Sequence, residues 1–402
     1  LFADYGFVTN NAVSRSMQSM IDILREEAFE KDTEVLNKFY TSVKINVGNI
    51  DNLEGKQTVI KNLYEKFFKG AFPKTVDTLG IVYTPVECVD FIIHSVNELL
   101  KSEFDTSLTE DNVHILDPFT GTGTFITRLL QSGLIRPEDM ERKYLNEIHC
   151  NEIVLLAYYI ADVNIESVFH DLVKRDKYLP YDGICLTDTF QLNEEGDNDI
   201  FSQVFKENSE RVIKQKKAPV RVIIGNPPYS VGQKSANDNA QNLSYPQLDK
   251  RIAETYADCV NTTNKNSLYD SYIKAFRWAS DRISQCKDGG IVAFISNGAW
   301  IDGSAQEGVR RCFEKEFSSV YVFNLRGNQR TSGELSRKEG GKIFGSGSRT
   351  PIAITILVKN PAKKGKAEIH YHDIGDYLTR EQKLKIISDF KSISSQKMDW
   401  ET

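Results

Sequence analysis

The chain has 402 residues, a formal net charge of −6, 40% hydrophobic and 26% charged residues. That length suffices for one well-buried α/β core plus a smaller helical unit, and no apolar run approaches the ~20 residues that a membrane span requires. No secretory leader is visible, so a cytoplasmic protein is expected, and the negative balance argues against nucleic-acid binding by bulk electrostatics.

Residues 1–70 carry apolar side chains at helical spacing, Met17, Met20, Ile21 and Leu24, then Leu36, Phe39, Tyr40 and Val43, and read as a helical bundle. A helix follows over 88–96. The apolar run Val113-His114-Ile115-Leu116 ends in Asp117 and leads through Pro118-Phe119-Thr120-Gly121-Thr122-Gly123 into a helical stretch over 125–130. A glycine turn between strand and helix lets backbone N–H groups approach the anionic end of a ligand at the positive helix terminus. Taken alone the spacing is weaker than G-x-G-x-x-G, and Asp117 reads equally well as a helix cap. Two further strand–loop units repeat the pattern. Glu152 closes Ile148-His149-Cys150-Asn151 before a helix over 153–163, where it suits ribose hydroxyls. Asp188 follows the strand over 181–187, where a carboxylate can accept from an adenine amino group. Each acid singly fits a solvated helix cap; three at successive strand ends outline a nucleoside-shaped crevice.

A fourth unit is the β-branched run Arg221-Val222-Ile223-Ile224-Gly225 followed by Asn226-Pro227-Pro228-Tyr229. Open α/β sheets bind ligands beyond the carboxyl ends of their strands, and two prolines hold this turn rigid. Asn226 offers an amide oxygen, Pro227 a carbonyl, and Tyr229 a flat face, groups that suit an exocyclic amino group on a planar ring. A bare Pro-Pro-Tyr more often ends an edge strand; the apolar strand, the glycine and the upstream crevice favour chemistry here. The polar stretch 230–266 reads as a long functional loop. Strands over 319–324 and 352–358 are joined by a Gly/Ser-rich connection in which Arg326, Arg330, Arg337, Lys338, Lys342 and Arg349 outweigh Glu334 and Glu339, a local balance of +4. His370 and His372 flank Tyr371 on a candidate strand and read as surface residues. The cysteines at 88, 150, 185, 259, 286 and 312 lack zinc-site or disulfide spacing and read as reduced core residues, and no metal site is expected.

In order, spacing and content these motifs resemble the S-adenosylmethionine-dependent amino methyltransferases, specifically the γ-class adenine-N6 DNA methyltransferases, over roughly residues 75–360. The resemblance implies a doubly wound, mostly parallel, seven-stranded Rossmann-like α/β fold with an N-terminal helical region. It implies that Thr84 and Pro85, in Gly80-Ile81-Val82-Tyr83-Thr84-Pro85, contact the cofactor S-adenosylmethionine together with Asp117, Phe119, Gly121, Gly123, Glu152 and Asp188. Asn226, Pro227, Pro228 and Tyr229 become the catalytic turn, and Phe344 in the basic connection faces Tyr229 across a flipped adenine. The polar stretch 230–266 then contacts the target strand of double-stranded DNA.

The phrases Leu63-Tyr64-Glu65-Lys66-Phe67-Phe68, Leu155-Leu156-Ala157-Tyr158-Tyr159-Ile160 and Tyr269-Asp270-Ser271-Tyr272 resemble the Type ISP restriction-modification enzymes of bacteria. Those are single polypeptides with a nuclease, a DNA-translocating ATPase, a coupler, a methyltransferase and a target recognition domain. The implied organisation is a helical bundle or coupler over 1–70, a methyltransferase domain over 71–360, and the start of a following domain or linker over 361–402. The first residue Leu1 and the charged helical run near Thr402 fit an excised piece of such a polypeptide. A protein glutamine N5-methyltransferase is the alternative, because a primary amide presents the same two hydrogens. The 230–266 loop, the Phe344 connection and Thr84-Pro85 favour DNA. A non-catalytic subunit with a vestigial cofactor fold is disfavoured by the intact turn from Asn226 to Tyr229.

Overall fold

Runs of aliphatic residues make one eight-stranded sheet. β1 (His114–Asp117), β2 (Ile148–Glu152), β3 (Ile184–Leu186), β4 (Val220–Gly225) and β5 (Gly290–Asn297) pair in parallel. With β6 (Ser319–Arg326), β7 (Ile352–Lys359) and β8 (Glu368–Asp373) the order is β3-β2-β1-β4-β5-β7-β6-β8. β7 runs antiparallel to both of its neighbours, and β8 runs parallel to β6. The computed structural model describes residues 11, 13–15, 17, 84–174, 178–194, 206–228, 245–260, 265–344 and 349–402. Most of the helical bundle expected over 1–70, and Tyr229 of the expected catalytic turn, lie outside the described residues.

Because successive side chains alternate across a strand, the sheet feeds two cores. Val222, Ile224, Ile291, Ala293 and Ile295 enter one, while Ile223, Val292 and Phe294 enter the other. The first core takes in apolar residues of α1 (Val86–Phe104), α2 (Thr124–Gln131) and α3 (Leu155–Val173). α4 (Lys206–Lys217) packs beside β3, and α5 (Pro246–Ile252), α6 (Ser271–Ile283) and α7 (Glu307–Glu316) contribute to the second core. α8 (Gly333–Glu339) lies in the connection between β6 and β7, and α9 (Arg380–Phe390) returns to pack on α1. Burial on both faces explains why β5 reads as an unbroken apolar run from Ile291 to Ile295, all eight residues of the strand being buried.

The seven expected strands become eight. Glu368 to Asp373 pair residue for residue with Ser319 to Asn324, so a segment expected to start a linker extends the sheet. His370 and His372 are not plain surface residues: the His370 ring stacks on Tyr321 at 4.3 Å between centroids, and His372 lies 5.5 Å from Phe390 and 5.9 Å from Trp400. α9 is tied in by Lys383, whose Nζ donates to the carbonyls of Leu325, Glu339 and Gly341 at 2.7–2.9 Å, and Ile393 N donates to Ser95 Oγ at 3.0 Å. The expected loop over 230–266 contains α5, because Leu248, Ile252 and Tyr256 fall on one helical face and are buried in the second core. Four cysteines are buried, whereas Cys259 is exposed and Cys286 half-buried.

Of the N-terminal region, Asn11 begins a helical turn. Its Oδ1 accepts from Val13 N and Ser14 N, each at 3.0 Å, and its Nδ2 donates to Asp162 on α3. Val13 enters the first core. Among the described residues no helix is long and apolar enough to cross a membrane.

Candidate active site

The sheet order reverses between β1 and β4. β1 leads outward to β2 and β3, β4 to β5, so the loops that leave their carboxyl ends diverge and open a crevice. Asp117 ends β1 and is wholly buried; burial pushes its carboxyl up to about 8, against the lowering effect of Phe119 N, which donates to Oδ1 at 3.1 Å. Its Oδ2 is buried without a hydrogen-bond partner. Across the crevice floor, Gly225 ends β4, and a Cβ there would sit 2.9 Å from Asp117 Oδ1. Only a glycine lets these two strand ends lie so close.

The glycine turn is pinned from both sides. Gly121 N donates to Glu152 Oε2 at 2.8 Å and Val154 N to Oε1 at 2.7 Å, so the acid at the end of β2 holds the turn and the start of its own loop. Burial raises the Glu152 carboxyl to about 7 despite these bonds. Gly123, at φ +82°, begins α2; a Cβ there would meet the Ala161 carbonyl at 3.2 Å, and Asn164 Nδ2 on α3 donates to the Thr122 carbonyl at 2.9 Å. Phe119 is half-buried, its ring 5.5 Å from Phe190 and 6.2 Å from Phe294. Asp188, beyond β3, is raised by burial, while Tyr245 Oη donates to its Oδ2 at 2.7 Å and Phe190 N to its Oδ1 at 2.9 Å.

Asn226 follows β4 half-buried, with Pro227 buried and Pro228 half-buried behind it. Its Nδ2 donates to Thr84 Oγ1 at 2.9 Å. Thr84 is buried and, with Pro85, stands immediately before α1, so the segment expected to touch a cofactor is found on the expected catalytic asparagine.

Phe344 is not presented to the crevice as expected. Its ring is 1% exposed and belongs to the first core, beside Ile343, whose carbonyl accepts from Arg380 Nε at 2.9 Å. The Lys342-Ile343-Phe344 run reads as a basic loop with one aromatic, but its two apolar residues are drawn in where α9 packs. The basic connection is also less available than its composition suggests, since Arg326 is bonded to Asp373 at 2.6 Å and to Asp376 at 2.5 Å. Three site residues escaped the sequence reading. Ile153 is 47% exposed directly after Glu152, an apolar surface at the mouth of the crevice that its position next to a strand-end acid could have flagged. Thr189 Oγ1 receives Asn151 Nδ2 at 3.2 Å and donates to the Pro118 carbonyl at 2.6 Å, tying three strand ends together. Tyr245 reaches Asp188 from 57 residues away, with no local signal. Among the described residues no cluster of acidic, histidine or cysteine side chains could hold a metal.

The family model described as N-6 DNA Methylase matches residues 55–316, and the Type ISP restriction-modification enzyme coupler domain matches residues 1–55. The chain belongs to the N-6 DNA methylase family. Membership favours DNA adenine over the protein glutamine alternative, and the family's chemistry calls for a methyl donor. Over its whole length the methylase is 49% identical, at a TM-score of 0.90, to a nuclease-deletion mutant of the Type ISP enzyme LlaGI in complex with a DNA substrate mimic, and it covers 32% of that chain. It is 43% identical over 99% of its length (TM-score 0.91) to the ATP-dependent Type ISP enzyme LlaBIII bound to DNA, covering 27% of it. A DrdV–DNA complex is matched at 36% identity over 99% of the chain, with a TM-score of 0.89 and 38% of that chain covered. The methylase thus spans about a third of these proteins. No curated protein matches its sequence.

Proposed function

We propose that the methylase transfers a methyl group from S-adenosylmethionine to the exocyclic amine of an adenine turned out of a DNA duplex. The observation that carries this reading is the meeting of two strand ends at the reversal of the sheet order, Asp117 on β1 and the Asn226 turn on β4, with only a glycine between them. The residues present fit the cofactor. Asp117 Oδ2 is a buried acceptor that lacks a donor, and Glu152 and Asp188 hold further lone pairs beside it; ammonium and hydroxyl groups suit all three. Asp117, Phe119, Gly121, Gly123, Glu152 and Asp188 would hold it, with Ile153 offering an apolar face. When bound, S-adenosylmethionine supplies an electrophilic methyl on its sulfonium.

Adenine N6 is a poor nucleophile because its lone pair is delocalised into the ring. The Asn226 amide oxygen and the Pro227 carbonyl accept its two hydrogens, localise that pair and favour the nitrogen as it becomes tetrahedral. The bonds are therefore stronger in the transition state than in the ground state, and no strong base is needed before attack. Leaving the stack costs the base a few kcal/mol. Stacking on Tyr229, worth about 1–3 kcal/mol, offsets part of this. Phe344 serves as a second wall only if its ring leaves the core.

Asn226→Ala is expected to leave cofactor affinity near normal and nearly abolish turnover, whereas Tyr229→Ala weakens base capture and keeps some rate. Single-turnover methylation of a hemimethylated duplex by the full-length gene product, with labelled S-adenosylmethionine, measures both. Robust activity in the Asn226 variant refutes the mechanism. The coupler match and the Type ISP relatives support neighbouring ATPase, nuclease and target recognition domains, which the uninterrupted gene would reveal.

A further inference from the structure

We infer that Tyr245 is a positioning residue for the methyl donor: its hydroxyl holds the Asp188 carboxylate as a fixed acceptor for the amino group of the donor's adenine. The inference rests on the reading of S-adenosylmethionine as the donor and of Asp188 as one of its contacts. Tyr245 Oη lies 2.7 Å from Asp188 Oδ2, and an ionised carboxylate has no hydrogen to give, so the phenol donates. Phe190 N donates to Oδ1 at 2.9 Å. Each oxygen carries two lone pairs, so these bonds leave one on each for a ligand hydrogen. Phe190 N alone would hold one oxygen and leave the tilt of the carboxylate unset. The second donor comes from a separate segment of the chain and fixes the plane. It also favours the charged form of an acid that burial raises, and the charged form is the stronger acceptor.

The hydroxyl is placed by the ring that carries it. Tyr245 is 9% exposed; its ring meets that of Phe190 at 5.3 Å between centroids and 71°, and the Lys274 ammonium on α6 lies 5.1 Å from its centroid. Lys274 is ion-paired with Asp249 on α5. The backbone is held too, because Gln247 N and Leu248 N donate to Glu194 at 2.8 and 3.1 Å. Phe190 packs in turn on Phe119, another residue assigned to the donor. A segment that follows the Asn226 turn on β4 thus returns to the acid beyond β3, three places along the sheet. None of these ring and backbone contacts uses the hydroxyl, which makes the bond to Asp188 its own contribution.

Tyr245→Phe keeps the ring and its packing and removes only the hydroxyl. Variant and parent are compared in the full-length gene product by calorimetric titration with S-adenosylhomocysteine, the demethylated donor, and with the same molecule carrying hydrogen in place of the adenine amino group. Single-turnover methylation of an adenine-containing duplex, at limiting and at saturating S-adenosylmethionine, separates affinity from rate. We expect Tyr245→Phe to weaken S-adenosylhomocysteine roughly tenfold, as for the loss of a bond to a charged group, and the amino-free analogue to bind variant and parent alike. The loss of rate is expected at limiting donor and is recovered at saturation. An unchanged affinity, a tighter binding that makes the hydroxyl a competitor of the adenine, an equal loss for both ligands, or a parent that binds both ligands equally well overturns the inference and leaves the proposed function standing. A parent that binds neither ligand and methylates no adenine overturns the proposed function first, and this inference with it.

Discussion

Two buried acids set the chemistry of the crevice before any ligand arrives. Asp117 and Glu152 are raised to about 8 and about 7 from ordinary values of 3.8 and 4.5, chiefly by burial, so the fold favours their protonated forms. A raised carboxyl stabilises the native state at low pH and loses that contribution as pH rises through the folded value. The melting temperature of the ligand-free protein is therefore expected to fall between about pH 4 and pH 8, the range between the unfolded and folded values, and Asp117→Asn should flatten the slope. A steeper fall in the variant would contradict the burial argument. Gly225→Ala forces a methyl to within 2.9 Å of Asp117 Oδ1, and overpacking of this kind typically costs about 1–3 kcal/mol. The loss is expected in both thermal stability and cofactor affinity, read by melting and calorimetry. Phe344→Ala now belongs among core deletions, at about 3–5 kcal/mol of stability, and a variant that melts like the parent yet captures the base poorly would restore the stacking role. The strand-end acids and the Asn226 turn were legible because each stands directly after an apolar run. The Thr84–Asn226 and Tyr245–Asp188 contacts were not, since side chains 142 and 57 positions apart meet only once the sheet has formed.

Among the elements, α9 has the widest reach. Lys383 is fully buried, and its ammonium satisfies three carbonyls, at the ends of β6 and α8 and in the connection beyond α8. Lys383→Met retains the length of the side chain but strands those carbonyls, a loss expected near 3 kcal/mol because each buried acceptor left unpaired costs about 1–3 kcal/mol. Denaturant unfolding would measure it, and a neutral result would mean that water reaches the carbonyls. The sequence pattern placed the parallel half of the sheet well, because strand, turn and helix recur there in a fixed order. It missed α5, whose buried Leu248, Ile252 and Tyr256 are diluted by polar neighbours, and the seven strands implied by the resemblance fall one short because the candidate strand around Tyr371 pairs with β6 as β8.

At the scale of the whole molecule, chain order and sheet order part company a second time after β5. β7 lies between β5 and β6 although it is made after both, with 54 residues between the end of β5 at Asn297 and the start of β7 at Ile352. At about 5–20 residues per second a ribosome leaves the apolar edge of β5 open for roughly 3–11 s. In that interval β5, α7 and β6 can close as an ordinary right-handed parallel crossover, a pairing that is locally sound and globally wrong. β7 must then prise it apart or arrive first. A chain stopped at Arg349 is expected either to hold this mispaired sheet or to aggregate through the naked β5 edge. Sedimentation and amide exchange along β5 would distinguish the two, and a soluble fragment with β5 exchanging freely would show that neither happens. Synthesis of this methylase is thus a race that the last long strand must win.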